Sequence, residues 1–581
     1  MVNLAFTRVL SIAMTICLIV FKDTSAFNLT VLHTNDCHTR FVETDVSGRV
    51  CTAALREAGE CYGGVARRAT VVNRIRSRDP GENVLLLDAG DQFQGTDWFV
   101  VYRGNATAYF MNILEYDAMC LGNHEFDNGI SGLLPFLKNV SFPILSCNID
   151  ASSEPRLQGL FVCSHVFEFS GERVGVVGYT LQSTPDFAKT EQLTFGEEIA
   201  AVQSAVDGLQ ALGINKVIAL GHVGFAMDEE VAASVPGIDL VIGGHSNTFL
   251  YTGDAPSNQE PIGPYPFIVH PTYDTSLSIP VVTAYAYGKY LGYLQLEFDD
   301  NGVVTRYSGN PILLDNSTAP DPYVQSEVDA WQIRVDEVST AVIGHTLTPL
   351  EGSLQICGTQ ECNLGNMMAD AMLLSNGMEW NDAGIAITTS GSIASSIDQG
   401  NITTGDLILV MPYGNTIDLV QLYGSHLLQL LEVPMMSFEP SRPTYGFLQV
   451  SGMKIEYDLT REDGDRVYRA QVQCQDCVGD GSEEFVDVDP DELYYVIMNS
   501  YMAGGGGGFE VVRDNKVQHI SGINDVDVTS SYIQAMSPLN VTVEGRTIIY
   551  DQDYRPGAGH IVKPYVALVL SLALMMLIRL L

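Results

Sequence analysis

Short apolar runs alternate with amphipathic stretches from residue 27 to about residue 320. The apolar runs predict buried strands at 29–32, 84–87, 118–121, 143–145, 174–177, 217–220 and 240–242. The stretches at 63–78 and 196–212 predict helices, and antiparallel strands are predicted at 281–286 and 291–298. Strands that alternate with helices indicate an α/β layered fold.

The 581 residues are too many for one hydrophobic core, so at least two domains are expected. A Pro-rich break at 317–323 precedes a helix predicted at 324–340. We therefore predict a first domain at 27–320, a connecting helix at 321–340 and a second domain at 341–556. In the second domain the pattern predicts a helix at 366–374 and strands at 385–388 and 407–411. Five glycines at 504–508 indicate either a backbone loop that approaches a ligand closely or a floppy loop.

Side chains that can bind metal follow five of the predicted strands. They are Asp36 and His38, Asp88 and Asp91, Asn123 and His124, His222, and His245 with Asn247. An α/β sheet builds its site at the carboxyl ends of its strands, so these residues are expected to lie together. Carboxylates and imidazoles suit divalent transition metals. Any one cluster, taken alone, is more simply explained as residues that cap a turn. Five clusters that each follow the end of a predicted strand favour a shared metal site.

The composition is strongly acidic, with 30 Lys and Arg against 70 Asp and Glu and a formal net charge of −40. Nucleic acid is not expected as a partner, because its binding requires basic patches. Polyanionic substrates would meet long-range repulsion, although physiological salt screens much of it.

Both ends of the chain carry targeting signals. Residues 1–26 fit a secretory signal peptide, whose apolar run at 9–21 is too short to span a membrane comfortably. At the other end, small residues at 557–559 precede an apolar tail at 564–581. This combination predicts a GPI attachment signal at 557–581, which is removed, and a lipid-anchored protein on the extracellular face of the plasma membrane. A transmembrane helix in the tail is the alternative.

Glycosylation sequons and cysteines fit an exported protein. The sequons begin at Asn28, Asn105, Asn139, Asn316, Asn401 and Asn540. Three short-range disulfides are expected, joining Cys51 to Cys61, Cys357 to Cys362 and Cys474 to Cys477. The sequence assigns no pairing to Cys37, Cys120, Cys147 and Cys163.

Four motifs, at 32–38, 88–92, 122–127 and 243–247, together resemble the 5′-nucleotidase family of metallophosphatases. The likeness extends to the GPI-anchored animal ecto-enzymes of that family and covers nearly the whole chain. Weaker likeness is present at 411–415 and 417–422. The resemblance implies an N-terminal calcineurin-like metallophosphatase domain of α/β/β/α build, followed by a C-terminal α/β nucleotide-binding domain. A homodimer is a candidate assembly that the sequence leaves open.

The resemblance also implies roles for individual residues. Asp36 and His38, with Asn247, would hold one divalent metal ion, expected to be zinc; Asp91 would bridge; and Asn123, His222 and His245 would hold the second ion. His124 would act near the leaving group, and Asp127 would orient it. The remaining histidines, His33 among them, are interpreted as surface or core residues. Arg40 is close enough in sequence to reach the site, although a solvated arginine is an equal alternative.

The second half departs from the family pattern. Tyr413 and Tyr501 occupy the positions that stack the nucleotide base, unless either is simply a core residue. The family's phosphate-binding arginines are replaced by Gly358 and Ala394, and its acidic ribose ligand by Gly507. Two lost charged hydrogen bonds would cost about 3–6 kcal/mol, roughly two to four decades in kcat/KM.

The expected function is hydrolysis of nucleoside 5′-monophosphates to nucleoside and phosphate by a two-metal mechanism. Because the arginines are absent, two alternatives stay open: a metallophosphoesterase with another phosphoester substrate, and a catalytically weak binding protein.

Overall fold

A computed structural model describes residues 27–551 except 79–82, 170, 187, 375–383, 437 and 474–484. The predicted signal peptide at 1–26, the attachment signal at 557–581 and the Cys474–Cys477 pair lie outside the described residues. Among the helices that are described, none has the length and apolar character needed to cross a membrane.

The N-terminal domain contains two sheets. In chain order its strands are β1 (Phe27–Thr34), β2 (Val84–Asp88), β3 (Ala118–Cys120), β4 (Ile144–Leu145), β5 (Ile149–Asp150), β6 (Ser164–Phe169), β7 (Glu172–Thr180), β8 (Thr194–Phe195), β9 (Val217–His222), β10 (Leu240–Ile242), β11 (Phe267–Val269), β12 (Ile279–Val282), β13 (Tyr290–Phe298), β14 (Val304–Gly309) and β15 (Ile312–Leu313). The first sheet has the order β14-β13-β1-β2-β3-β4, with β15 pairing with β13, and the second β11-β12-β10-β9-β7-β6. Strands β1 to β4 are parallel, as are β7, β9, β10 and β12.

The two sheets pack face to face, with helices on their outer faces. Val31 and Leu87 of the first sheet share one core with Val176 and Leu220 of the second. The helices are α1 (Ala53–Ala58), α2 (Val65–Arg76), α3 (Asp97–Tyr102), α4 (Gly104–Ile113), α5 (Gly129–Asn139), α6 (Glu198–Ala211) and α7 (Phe225–Ser234). Separate cores join the first sheet to α2–α5 and the second to α6 and α7. This is the α/β/β/α arrangement that the resemblance implied. It explains the uniformly apolar central strands β2, β3, β9 and β10, because these are covered on both faces.

A single helix, α8 (Pro322–Ser339), occupies the predicted connecting segment. Asp321 caps its first turn by accepting hydrogen bonds from the backbone N–H groups of Tyr323 and Val324. Trp331 stacks on Tyr109 of the N-terminal domain with a centroid separation of 4.8 Å. The connecting helix is therefore packed against the N-terminal domain rather than free in solvent.

The C-terminal domain is also α/β. Its strands are β16 (Val342–Thr346), β17 (Ile385–Thr389), β18 (Gly400–Thr403), β19 (Ile417–Tyr423), β20 (Leu448–Ser451), β21 (Met453–Asp458), β22 (Val467–Gln473), β23 (Phe485–Asp487), β24 (Leu493–Asn499), β25 (Gln518–Ile520) and β26 (Thr547–Tyr550). Its helices are α9 (Leu354–Cys357), α10 (Asn363–Leu374), α11 (Thr404–Val410), α12 (Gly424–Glu432), α13 (Ser500–Ala503), α14 (Glu510–Asn515) and α15 (Asp525–Met536). The larger sheet has the order β20-β17-β24-β19-β25.

Two predictions of secondary structure were wrong. The apolar run at 407–411 was predicted as a strand, but residues 407–410 belong to α11 and Met411 is its C-cap, because Thr403 and Asp406 form a capping box that starts a helix. The run at 281–286 was predicted to be antiparallel, but its strand, β12, pairs parallel with β10 and antiparallel only with β11.

Three disulfides lie within the described residues. The predicted pairs Cys51–Cys61 and Cys357–Cys362 are present, and Cys147, left unassigned, pairs with Cys163. Cys37 and Cys120 are buried free thiols.

Candidate metal centre and the cavity above it

The predicted metal-ligating residues converge at the carboxyl ends of the parallel strands. Asp36 and His38 follow β1, Asp91 follows β2, Asn123 follows β3, His222 ends β9 and His245 follows β10. The ligand atoms of Asp36, His38 and Asp91 lie within 4.8 Å of one another, and so do those of Asp91, His222 and His245. The two groups share Asp91, which is the layout expected of two metal sites with a common carboxylate.

The donor atoms fit divalent metal ions. Nε2 of His222 is buried and lies 2.9 Å from Asp91 Oδ2, yet within the described structure it has no hydrogen-bond partner. Its other ring nitrogen, Nδ1, is 2.6 Å from the carbonyl oxygen of Ala89. A ring oriented by a backbone carbonyl, with its second nitrogen directed at carboxylates, is the usual environment of a metal-ligating histidine.

Two of the three histidines in these groups are neutral, whereas the third differs. Burial would lower the pKa of His222, but Asp91 and Asp36 raise it to about 10. Burial lowers the pKa of His38 to about 3 and that of His245 to about 4, so both imidazoles are neutral at pH 7 and have a free lone pair. Burial alone would raise the pKa of Asp91, but His222 and His124 lower it below its ordinary value. The carboxylate shared by the two groups is therefore ionised.

Several predicted ligands have a strained backbone. The φ angles of Asp36, His38, Asp91, His245 and Asn247 are between 49° and 74°, in the left-handed region that residues other than glycine rarely adopt. Such a conformation costs on the order of 1–3 kcal/mol per residue and tends to cluster at functional sites. The surrounding fold therefore holds the ligand side chains in an arrangement that the isolated loops would not favour.

Two glycines leave room for the ligands. A Cβ atom on Gly122 would lie 2.1 Å from Asp91 Oδ1, and one on Gly244 would lie 2.8 Å from His222 Nδ1. Any larger residue at these positions would displace a predicted ligand.

Asn123 and Asn247 have different surroundings. Asn123 is buried, and its Oδ1 lies 2.9 Å from Nδ1 of His245, beside the second group of ligands. Asn247 lines the cavity above the site together with His38 and His124. The ligand roles of both asparagines stay predictions.

His124 and Asp127 form the predicted dyad. Nδ1 of His124 lies 2.7 Å from Asp127 Oδ2, and Nε2 lies 4.0 Å from Asp91 Oδ2. Burial would lower the pKa of His124, but Asp127 and Asp91 raise it to about 10. The ring is thus oriented by one carboxylate and presents a protonated nitrogen toward the bridging position.

Glu125 belongs to the sequence motif at 122–127 but was given no role there. Its buried carboxylate accepts hydrogen bonds from the backbone N–H groups of Asp91, Gln92, Phe93 and Gly122 at 2.7–3.1 Å. It ties the loop after β2 to the loop after β3 and so positions the bridging carboxylate. The sequence did contain a sign of this role, because Glu125 is an acidic residue within a motif whose other polar residues had predicted functions.

A cavity of about 890 Å³ lies over this centre and is lined by both domains. His38, Arg40, His124 and Asn247 line one side, and Tyr413, Tyr501 and Gly507 line the other. The volume is typical of a site for a small organic ligand. The structure thus brings two of the predicted metal ligands, His38 and Asn247, and both predicted substrate-binding tyrosines to one cavity.

The two predicted stacking residues are not core residues. Tyr413 is 50% exposed and Tyr501 is 57% exposed. Among the described residues, neither ring stacks on another aromatic ring. The five-glycine loop lies against Tyr501, since a Cβ atom on Gly506 would be 2.4 Å from Cε2 of its ring. Both rings therefore have faces free for a planar ligand.

Arg40 is not a solvated arginine. Its side chain is buried, donates a hydrogen bond of 2.9 Å to the carbonyl oxygen of His38 and lies over Tyr287 with Cζ 4.3 Å from the ring centroid. It thus lines the cavity as a fixed cation.

Comparisons with known proteins agree with this geometry. A family profile described as calcineurin-like phosphoesterase matches residues 29–249, and one described as 5′-nucleotidase, C-terminal domain, matches residues 342–514. The chain is 47% identical to human 5′-nucleotidase over 90% of this chain and 91% of that protein. It is 43% identical to snake venom 5′-nucleotidase of Naja atra, covering 90% of this chain and 99% of that one.

Solved structures show the same relationship. The 5′-nucleotidase precursor from Thermus thermophilus matches with a TM-score of 0.64 and 35% identity, covering 90% of this chain and 99% of that one. NAD nucleotidase from Haemophilus influenzae shares the fold, with a TM-score of 0.65 and 22% identity over 90% of this chain and 99% of that one. The chain therefore belongs to the 5′-nucleotidase family, and the predicted metal ligands lie in its calcineurin-like metallophosphatase domain.

Proposed function

We propose that this protein hydrolyses nucleoside 5′-monophosphates to nucleoside and phosphate. The observation that carries the proposal is one cavity that is lined by His38 and His124 on one side and by the unstacked rings of Tyr413 and Tyr501 on the other. His38 belongs to one of the two groups of predicted metal ligands that share Asp91. A ligand that spans this cavity needs a phosphate at one end and an aromatic ring at the other. A nucleoside monophosphate has both.

The metal ligands in the proposal are Asp36, His38 and Asn247 for one ion and Asn123, His222 and His245 for the other, with Asp91 shared. Two divalent ions bound at such a pair of sites polarise a phosphoryl group and lower the pKa of water, and the mixed carboxylate and imidazole donors suit zinc.

The protein's own groups act on the phosphate and on the leaving oxygen. With a pKa raised to about 10, His124 is protonated at neutral pH and can donate a hydrogen bond to the leaving oxygen through Nε2. Asp127 holds the other nitrogen and keeps the ring oriented. Stacking of the base on Tyr413 or Tyr501 holds the nucleoside in the cavity while the ester bond breaks.

The test is phosphate release by the purified protein. Metal content is measured first, with about two divalent ions per chain expected in protein never exposed to chelator. Initial rates are then compared for AMP, ADP, ATP and 4-nitrophenyl phosphate. The proposal requires the highest kcat/KM for AMP and loss of activity after chelation. Protein that contains no metal as purified, or that has no phosphatase activity when metal-loaded, contradicts it.

A second candidate is hydrolysis of a different phosphoester. It is favoured by one observation, the absence of arginine at Gly358 and Ala394, and it predicts that a substrate other than AMP has the highest kcat/KM. A binding protein without turnover is disfavoured, because a site that only holds metal needs no oriented pair like His124 and Asp127.

The cellular location belongs to the same proposal. Three disulfides in the described residues support an exported protein. We place it on the extracellular face of the plasma membrane, held by a GPI anchor. A phosphatidylinositol-specific phospholipase should release it from cells, whereas retention of the tail peptide on the protein indicates a transmembrane segment. A homodimer stays a prediction that a mass measurement in solution tests.

A further inference from the structure

One loop of the C-terminal domain contributes a large part of the cavity wall. It runs from residue 439 to residue 446, ahead of β20, and is called the 439–446 loop here. Its cavity-lining residues are Glu439, Arg442, Pro443, Thr444, Tyr445 and Gly446. None of the motifs in the sequence draws attention to it.

The 439–446 loop packs against both segments in which the family's arginines are missing. Its Thr444 N–H donates to the carbonyl oxygen of Gly358 at 3.0 Å. The Gly391 N–H donates to the carbonyl oxygen of Tyr445 at 2.7 Å, and the Ser390 hydroxyl donates to that of Thr444 at 2.7 Å. The loop is therefore attached by hydrogen bonds to the segments where the family holds phosphate.

Arg442 is the cation of this loop. Its side chain is exposed and lines the cavity, and that side chain forms no ion pair or hydrogen bond with any other described residue. Arg40, on the opposite wall, is already committed to the carbonyl oxygens of His38 and Gly48 and to the ring of Tyr287. Arg442 thus has its guanidinium donors free for a ligand.

The neighbours of Arg442 suit an anion as well. Thr389, Ser392 and Thr444 line the same cavity and offer hydroxyl groups. The Glu439 carboxylate also lines it and forms no ion pair with Arg442 within the described structure, although the backbone N–H of Arg442 donates to the Glu439 carbonyl oxygen at 2.9 Å. A planar guanidinium with free donors binds phosphate oxygens in pairs more effectively than hydroxyl groups alone.

We propose that Arg442 binds the substrate phosphate and takes over the role of the two absent arginines. This rests on the proposed function, since it assumes that the cavity holds a phosphoester. Under this proposal the site can bind phosphate although glycine and alanine occupy the two arginine positions of the family. Arg442 reaches the same anion from a different loop.

Arg442→Gln and Arg442→Lys test the proposal in the purified, metal-loaded protein. The control is Arg469→Gln, which removes the same charge from an exposed arginine away from the cavity. Arg469 on β22 pairs with Asp487 on the neighbouring strand β23. In Arg442→Gln we expect kcat/KM for AMP to fall by roughly tenfold or more, as loss of one charged hydrogen bond predicts. Arg442→Lys should recover part of the loss, and the control should match the wild type.

Inhibition by products separates phosphate binding from base binding. Inorganic phosphate should inhibit Arg442→Gln several-fold more weakly than the wild type, whereas inhibition by adenosine should not change. Phosphate should inhibit Glu439→Gln at least as strongly as the wild type, because the change removes a carboxylate that opposes an anion. If Arg442→Gln weakens inhibition by adenosine alone, Arg442 contacts the nucleoside and the proposal is wrong.

Direct binding keeps this test separate from the proposed function. Calorimetry measures inorganic phosphate binding to the metal-loaded wild type and to Arg442→Gln without any turnover. If the wild type hydrolyses AMP but the substitution leaves phosphate affinity unchanged, the role of Arg442 alone is overturned. If the wild type hydrolyses no phosphomonoester, the proposed function is overturned, while the binding difference still decides whether Arg442 holds phosphate.

Discussion

The metal centre and the substrate-binding wall of the same cavity have kept different amounts of the family's chemistry. In the N-terminal domain every ligand-type residue of the motifs is present, and the fold groups Asp36, His38, His222 and His245 around Asp91. In the C-terminal domain the two aromatic positions are filled by tyrosines, but Gly358, Ala394 and Gly507 stand where charged side chains are expected. The comparison indicates that the chemistry and the substrate recognition of this fold can change independently.

The physical reason lies in how tightly each region is constrained. A metal ligand needs the right distance to the ion, the right charge and neighbours that leave it room. Gly122 and Gly244 illustrate the last requirement, because a side chain there would collide with Asp91 and His222 respectively. An anion contact in an open cavity can be supplied from any loop that lines it. Substitutions in the two regions test this contrast.

Asp91→Asn should abolish activity. The change removes the charge shared by the two groups of ligands, so metal content should fall below two ions per chain and phosphate release should fall to the level of chelated wild type. Metal analysis and initial rates are the measurements. Asp207→Asn, an exposed position on α6, is the control. Full activity with two ions per chain would show that Asp91 does not bridge.

His124→Gln should lower kcat for AMP by roughly a hundredfold to ten-thousandfold, the range for loss of a group that donates in the transition state. Metal content should stay unchanged, because His124 is not a predicted ligand. Asp127→Asn should give a smaller loss in the same direction. His165→Gln on β6 serves as the control, and a normal kcat in His124→Gln contradicts the assigned role.

Tyr501→Ala should lower kcat/KM for AMP by roughly tenfold, since stacking of one base is worth about 1–3 kcal/mol. Tyr501→Phe should keep the activity, because the ring face is retained. The effect on 4-nitrophenyl phosphate should be smaller, since that substrate lacks a base. Tyr423→Ala, an exposed tyrosine outside the cavity wall, is the control; equal losses for both substrates would argue against base stacking.

Ala394→Arg should raise kcat/KM for AMP by about tenfold if the family's phosphate contact can be restored. Gly358→Arg is not a suitable partner, because a Cβ atom there would lie 2.5 Å from the carbonyl oxygen of Leu354 and 2.9 Å from that of Thr444. Ala394→Gln controls for size without charge. The rise in kcat/KM caused by Ala394→Arg should be larger in the Arg442→Gln background than in the wild type, because Arg442 already holds the phosphate in the wild type under the proposal.

The smallest expected effect concerns His33 and the dependence of the free energy of unfolding on pH. Burial lowers its pKa to about 3, below the ordinary value of 6.5, so the unfolded chain binds the proton more readily. The free energy of unfolding is therefore unaffected well above pH 6.5 and falls as the pH drops toward 3, by about 2 kcal/mol at pH 5 from this group. Thermal melting of wild type and His33→Gln between pH 7 and pH 5 should show a smaller loss in the variant. Parallel melting curves would contradict this.

The sequence by itself determined the layered fold and which residues are candidates for metal binding. Uniformly apolar strands followed by Asp, Asn and His can be recognised in a sequence, because strand burial and metal ligation each demand particular residue types at short spacing. The same logic failed at 407–411, where Thr403 and Asp406 start a helix and local capping outweighed the apolar run.

Only the tertiary structure decided which residues meet across the cavity. Glu125 gained its role from four backbone N–H groups of two separate loops, and Cys147 pairs with Cys163 because their neighbouring segments lie side by side. Arg442 is one exposed arginine in a loop without a motif, and it became a candidate for phosphate binding only when that loop was seen packed beside Gly358 and Gly391. Such contacts depend on how distant segments pack, which no local pattern of residues encodes.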